Sequence, residues 1–231
     1  FGSARLHHGW LLTGPRGVDK ATLAWRIARF LLAATPTMDV PADHPVAHRI
    51  AALSEPRLFL LRRGSNATGS ALSADIRVDE VRKLKSYLAL SAADGGRRVV
   101  IVDSADEMAA PAANAILKLL EEPPANVTLI LVSHQPSKLL PTIRSRCREL
   151  RLSPLAPEPM RDALTQAGAM VDDPAALAEL GGGSVGEAVR ILNLDGLAIY
   201  RDLIAVFATL PRLDRSRALA LAEQGAGRGA E

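Results

Sequence analysis

The chain has 231 residues, of which 48% are hydrophobic, so it can bury a large core in one domain or in a large domain with smaller companions. Its single cysteine excludes an internal disulfide and a four-thiolate zinc site. No apolar run is long enough to span a bilayer and no secretion signal is visible, so a cytoplasmic location is expected. The net charge of +3 is compatible with nucleic-acid contact, but an aromatic content of 3% argues against a stacking surface for single strands.

Strands and helices alternate along the first two thirds of the sequence. Five segments are predicted to be strands, at residues 9–14, 57–63, 97–103, 127–133 and 147–152. The first is followed by a helix with Leu23, Ile27 and Leu31 on one face. Further helices are predicted from about Asp79 and over the stretch that ends at the EEPP of residues 121–124. This alternation predicts an α/β fold with a parallel, doubly wound sheet.

The composition changes after the last predicted strand. A Pro-rich joint, SPLAPEPM, begins at Ser153, and the residues beyond it are rich in Ala and Leu at helical spacing. We therefore expect a first domain over residues 1–153, a small three-helix domain over 154–193, and two further helices within 194–231. The polar segment SNATGSALSADI, at 65–76, is predicted to be a poorly ordered loop.

The stretch GPRGVDKAT, at residues 14–22, lies between the first strand and the first helix, where a phosphate-binding loop belongs. Compared with the pattern GxxxxGK[ST], it keeps Gly14 and Lys20, and Gly17 adds a further flexible position. However, Asp19 replaces the second glycine, and Ala21 replaces the hydroxyl that would hold magnesium. Thr22 comes one position too late and faces another side of the helix.

A second partial match follows the strand at 97–103. In IVDSADEM, Asp103 stands where an ATPase carries its magnesium-associated aspartate, but Ser104 occupies the position of the water-activating glutamate. Asp106 and Glu107 are interpreted as a solvated charge pair at a helix start. The two motifs together predict a vestigial and empty nucleotide site, made of Gly14, Gly17, Lys20, Thr22 and Asp103.

Three blocks, at residues 3–32, 99–147 and 182–192, resemble the delta-prime subunits of the bacterial DNA polymerase III clamp loader, a family within the AAA+ proteins. Within them, NAILKLLEEPP and LLPTIRSRC are specific to clamp-loader subunits. The resemblance implies an AAA+ nucleotide-binding-type domain at 1–153, a helical lid at 154–193, and the start of an incomplete helical collar at 194–231. It also implies that this chain is a fragment and lacks residues that usually precede the first block.

The resemblance also implies a function. ATP-using relatives carry an arginine in the lid that contacts the γ-phosphate, and this sequence has Gly186 there. With Asp19, Ala21 and Ser104, four parts of an ATPase are absent, which implies a structural subunit that is not an ATPase by itself and takes no cofactor. Such a subunit belongs to the DNA-directed DNA polymerase holoenzyme and supports ATP-dependent loading of the sliding clamp during DNA replication. Its implied partners are the ATPase motor subunits and the delta subunit, with the clamp and primer-template DNA reached through the complex.

The SRC motif, Ser145 to Cys147, is intact. In clamp loaders its arginine reaches a neighbour's ATP site and stabilises the charge on the transferred phosphoryl group, so the resemblance implies that Arg146 is an arginine finger with Ser145 and Cys147 as motif neighbours. The alternative is an arginine at the sheet edge, paired to a carboxylate such as Glu149.

Other functions fit the sequence less well. Many delta-prime subunits carry a four-cysteine zinc module, but the corresponding stretch offers only Asp43, His44 and His48, so no metal site is expected. One rival is an ATP-binding AAA+ motor subunit of the same loader. Another is a sequence-specific DNA-binding protein, which the modest charge and the lack of a groove-reading motif disfavour.

Overall fold

The computed structural model describes residues 6–65, 71–90 and 96–227. The chain forms two compact units, Phe1–Ser153 and Pro154–Glu231. The expected division of the second part into a lid and a collar stays a prediction. None of the helices in the described ranges is both long and apolar enough to cross a membrane.

The first unit contains a parallel sheet, whose described strands are β1 (Gly9–Thr13), β2 (Leu58–Leu61), β3 (Arg98–Asp103), β4 (Val127–Ser133) and β5 (Arg148–Arg151). Their order across the sheet is β2-β3-β4-β1-β5. All neighbouring pairs are parallel, which confirms the predicted sheet. The register aligns Thr13 with Ser133 and Asp103 with Val132, so the ends of β1, β3 and β4 meet at one edge of the sheet.

Helices cover both faces of this sheet, as a doubly wound fold requires. The helices of the first unit are α1 (Lys20–Ala33), α2 (Pro45–Ala51), α3 (Val78–Leu90), α4 (Ala110–Glu121) and α5 (Pro141–Arg146). Alternate residues of β3 enter two separate cores, because successive side chains of a strand point to opposite faces. Val99 and Ile101 pack in the core that contains α1 and α2, whereas Val100 and Val102 pack in the core that contains α3, α4 and α5.

The second unit is helical. Its described helices are α6 (Pro157–Gln166), α7 (Pro174–Leu180), α8 (Val185–Asn193), α9 (Gly196–Phe207) and α10 (Arg215–Gly227). Met160, Leu164 and Leu177 are fully buried between α6, α7 and α8. Helices α9 and α10 bury much less, and several of their large apolar side chains are exposed.

The loop predicted at 65–76 is described only at its ends. Ser65 and Leu72 form an isolated bridge, and the Ser73 amide donates to the Gly64 carbonyl oxygen at 2.8 Å. Residues 66–70, the centre of the predicted loop, lie outside the described residues.

Candidate functional site

The loop between β1 and α1 turns sharply, with positive φ at Gly14, Gly17 and Asp19. Gly14 has φ of 142°, and a Cβ there would lie 2.3 Å from the Leu152 carbonyl oxygen, so only glycine fits. Asp19 adopts the left-handed conformation, with φ of 61°, at the position where the pattern has its second glycine. The loop therefore keeps the turn that glycine would supply, but with a carboxylate attached.

The Lys20 side chain is turned onto its own loop. It is 2% exposed, and its ammonium donates to the carbonyl oxygen of Gly14 at 2.8 Å and to that of Pro15. Burial lowers the pKa of Lys20, and Arg16 acts in the same direction, against the carboxylates of Asp106 and Asp103. The cation that would meet a phosphate is thus bound by main-chain oxygens of the loop itself.

The Thr22 hydroxyl, two residues after Lys20, contacts a residue of the loop. Thr22 Oγ1 donates to Asp19 Oδ1 at 3.2 Å, so it is held beside the start of α1. Position 21, where the pattern has the magnesium ligand, carries only the methyl group of Ala21. The residues present do not fit a magnesium-bound triphosphate.

The end of β3 differs in part from the sequence interpretation. Asp103 ends β3, and Ser104 Oγ donates to Asp103 Oδ1 at 3.3 Å. Asp106 and Glu107 are not a merely solvated pair, because the His134 amide donates to Asp106 Oδ1 at 2.9 Å and Glu107 pairs with Arg63 at 3.0 Å. Sequence patterns could not predict these contacts, because the partners His134 and Arg63 follow two other strands, β4 and β2.

His134, which follows β4, is a residue of this site that sequence reasoning missed. Its Nδ1 and the Oγ of Ser133 are buried and have no hydrogen-bond partner among the described residues. Burial lowers the pKa of His134, helped by Lys20 and Arg16 and opposed by Asp106 and Asp103. Its position directly after a central strand that ends at the same sheet edge as β1 is the signal that could have identified it.

A cavity of about 660 Å³ opens beside this loop at the carboxyl edge of the sheet. Its lining includes Arg16, Arg62 and Arg63, together with Asp103, Ser104 and His134. Arginine and carboxylate side chains both line it, and Glu107 in its wall lies 3.7 Å from Arg16 as well as 3.0 Å from Arg63. The lining therefore carries charges of both signs and is not a uniformly positive phosphate pocket.

Arg146 is the last residue of α5, and its side chain is 37% exposed. Its Nη1 donates to the Thr142 carbonyl oxygen at 3.0 Å, and its Nη2 lies 3.0 Å from Glu121 Oε1 at the end of α4. Glu149, the partner considered from the sequence, instead accepts from the Thr13 hydroxyl at 2.7 Å. The carboxylate paired with Arg146 is therefore Glu121.

The motif neighbours of Arg146 have local roles. Ser145 Oγ donates to the Thr142 carbonyl oxygen at 3.1 Å. Cys147 follows α5, and burial raises the pKa of its thiol to about 11, which makes it a poor nucleophile at neutral pH. Gly186 lies in the first turn of α8, in the second unit. Among the described residues, no three His, Cys, Asp or Glu side chains are grouped to hold a metal ion.

A parallel sheet with a phosphate-type loop after β1 and an aspartate at the end of β3 places the first unit in the class of phosphate-loop α/β folds. The comparisons with known proteins are more specific: the chain belongs to the family described as DNA polymerase III, delta subunit, whose model matches residues 1–156. The resemblance to delta-prime subunits inferred from the sequence is thereby confirmed.

Individual relatives agree with this assignment. DNA polymerase III subunit delta' of Pseudomonas aeruginosa is 36% identical over 216 residues, covering 92% of this chain and 63% of that protein. DNA polymerase III subunit gamma/tau of Mycobacterium bovis is 32% identical over 203 residues, covering 83% of this chain and 33% of that protein. The chain thus spans less than two thirds of the length of either relative.

The solved structures support the fold. A crystal structure of a DNA polymerase III gamma subunit-related protein from Thermotoga maritima superposes with a TM-score of 0.52 at 22% sequence identity. The match covers 85% of this chain and 58% of that one.

Proposed function

We propose that the chain is part of a delta-prime subunit of a clamp loader, a subunit that does not hydrolyse ATP and that supplies Arg146 to the ATP site of a neighbouring subunit. In this role it supports loading of the sliding clamp during DNA replication. Its partners are the ATPase motor subunits and the delta subunit, and it reaches the clamp and primer-template DNA through the complex.

The non-hydrolysing role is supported mainly by the side chains of the loop after β1 and by their contacts. Lys20 is bound by the loop's own carbonyl oxygens, and the neighbouring side chain at Ala21 has no metal-binding atom. Ser104 at the end of β3 cannot act as the carboxylate base of an ATPase. A site without the hydroxyl ligand for magnesium and without a base lacks the groups that activate water against a triphosphate.

A second candidate is an ATP-binding motor subunit of the same loader. It is favoured by the retained Lys20 and Asp103 and by the 32% identity to a gamma/tau subunit. The substitutions at 19, 21 and 104 oppose it. The two candidates differ in nucleotide affinity, so a direct binding measurement separates them.

The proposal that the subunit does not hydrolyse ATP is tested by titrating the purified chain with ATP and magnesium in a calorimeter, together with an ATPase assay. We expect neither saturable heat nor turnover above that of a Lys20→Ala variant, with or without primed DNA. Saturable binding that is lost in Lys20→Ala would establish the motor-subunit alternative.

The proposal that Arg146 serves a neighbouring ATP site is tested with loaders reconstituted with the full-length subunit. Arginine fingers supplied in trans accelerate phosphoryl transfer by about a thousandfold or more, but only one of several ATP sites is affected. We therefore expect Arg146→Ala to lower total ATPase in part and clamp loading further, and Arg146→Lys to rescue poorly because an ammonium cannot span two phosphate oxygens.

The matched control for this variant is Arg144→Ala, an exposed arginine on the same short helix. It removes the same charge from the same helix and should leave ATPase and clamp loading unchanged. Wild-type rates from Arg146→Ala, at equal assembly, would confine this subunit to scaffolding.

A further inference from the structure

The side chain of Arg146 is held between two helices. Its Nη2 lies 3.0 Å from Oε1 of Glu121, which is the last residue of α4. Its Nη1 donates to the Thr142 carbonyl oxygen of its own helix at 3.0 Å. We propose that Glu121 is a positioning residue, which fixes the guanidinium of Arg146 in the orientation from which it serves the neighbouring ATP site. This inference rests on the function proposed for Arg146.

Some N–H donors of the Arg146 guanidinium remain available for a ligand. A guanidinium has five N–H donors in a fixed plane, and anchoring both Nη atoms fixes the orientation of that plane. The hydrogen bonds to Thr142 and Ser145 use Nη1, and Nη2 forms the ion pair with Glu121. The Nε–H donates no hydrogen bond among the described residues, so it is available to meet a phosphate oxygen.

The ends of α4 and α5, which carry Glu121 and Arg146, are held by the core of the first unit. Leu120 of α4 and Ile143 of α5 are buried in one core, and Cys147 packs against it. His8 Nε2 lies 3.1 Å from the Leu120 carbonyl oxygen, which ties the last turn of α4 to the segment before β1. The carboxylate and the arginine therefore project from two helix ends that cannot easily shift relative to each other.

Glu122, the residue after Glu121, differs from it in its contacts. Glu122 has the same side chain and is also exposed, but it has no ion pair or hydrogen bond from its side chain within the described ranges. The contact with Arg146 is thus a property of position 121 and not of negative charge at the end of α4 in general. Glu122 provides the matched control.

The experiment compares loaders reconstituted with full-length Glu121→Ala, Glu121→Gln, Glu122→Ala, Arg146→Ala and the Glu121→Ala/Arg146→Ala double variant. The part of the ATPase that Arg146→Ala removes is taken as the finger-dependent rate. We expect Glu121→Ala to lower this part about tenfold in kcat, because a displaced catalytic group loses its alignment while ATP binding is untouched, so KM should not change. Glu121→Gln keeps an acceptor at the same length and should lose less, and Glu122→Ala should lose nothing.

The double variant separates positioning from general damage. If Glu121 acts only through Arg146, the double variant should be no slower than Arg146→Ala alone, and thermal unfolding of the single variants should coincide. A wild-type or faster rate from Glu121→Ala, an additive loss in the double variant, or a raised KM would overturn the inference. If instead Arg146→Ala itself has no effect, the proposed function fails, and the two failures are thereby distinguished.

Discussion

At the scale of single residues, the loop between β1 and α1 combines a glycine-like backbone with side chains that depart from the phosphate-binding pattern. Gly14 and Asp19 both have positive φ in this loop, whereas the side chains at 19 and 21 differ from those of the phosphate-binding pattern. Asp tolerates the left-handed region better than most residues with a Cβ, which explains how it can occupy this position. The backbone of the loop therefore meets the needs of the fold, whatever the side chains at 19 and 21 bind.

This leads to a prediction about Asp19, whose φ is 61°. Because the left-handed region costs an ordinary residue about 1–2 kcal/mol, we expect Asp19→Gly to be more stable than Asp19→Ala by about 1 kcal/mol in urea unfolding. Ala21, in the helical backbone of α1, is the control, since Gly there should be less stable than Ala by up to about 1 kcal/mol. Equal stability of the two variants at position 19 would show that its backbone is not left-handed in solution.

At the scale of elements, a buried carboxylate links α2 to β2. The Glu55 side chain is 1% exposed and accepts from Arg49 Nε of α2 and from Arg57 Nε, one residue before β2, both at 2.8 Å. Burial alone would raise the pKa of Glu55, but the hydrogen bonds from Arg57 and Arg49 outweigh it and hold the pKa below its ordinary value. The ionised form is therefore part of the folded structure.

We expect Glu55→Gln to lower the free energy of unfolding by about 1.5–3 kcal/mol at pH 7, the range for hydrogen bonds to charged groups. A folded pKa below the unfolded one gives stability that is present above the unfolded pKa, about 4.3, and is lost as the pH falls through the folded pKa. The difference between wild type and Glu55→Gln should therefore shrink below about pH 4. Glu122→Gln serves as the control, and a difference that stays constant down to pH 3 would contradict the assignment.

The elements also show what a sequence can and cannot predict. Strand β4 lies at Val127–Ser133, as predicted, because a continuous apolar run bounded by turns is a local signal. Helices α2 and α5 escape such prediction, since 7 and 6 residues are too few for a repeated apolar face. The pairing of Arg146 with Glu121 depends on contacts between separate elements, and no local pattern contains that information.

At the scale of the whole molecule, the two units differ in how completely they bury their apolar residues. The sheet of the first unit has fully buried strands, such as β4. In the second unit, a group of large apolar side chains in or next to α9 and α10 is more than a third exposed, namely Tyr200, Leu203, Ile204, Phe207, Leu210, Leu213 and Leu219. Contiguous exposed apolar surface promotes association in water.

We therefore expect the 231-residue chain to associate reversibly through this apolar group as its concentration rises. Phe207, 54% exposed in the last turn of α9, is the most informative position. A carboxylate there would have to be desolvated on contact, so Phe207→Glu should shift sedimentation velocity profiles towards the monomer without changing the helical content. Leu72→Glu is the control, because Leu72 is 63% exposed but lies in the first unit, outside this group. If Leu72→Glu dispersed the chain as well as Phe207→Glu did, association would follow from net charge and not from the apolar surface of α9 and α10.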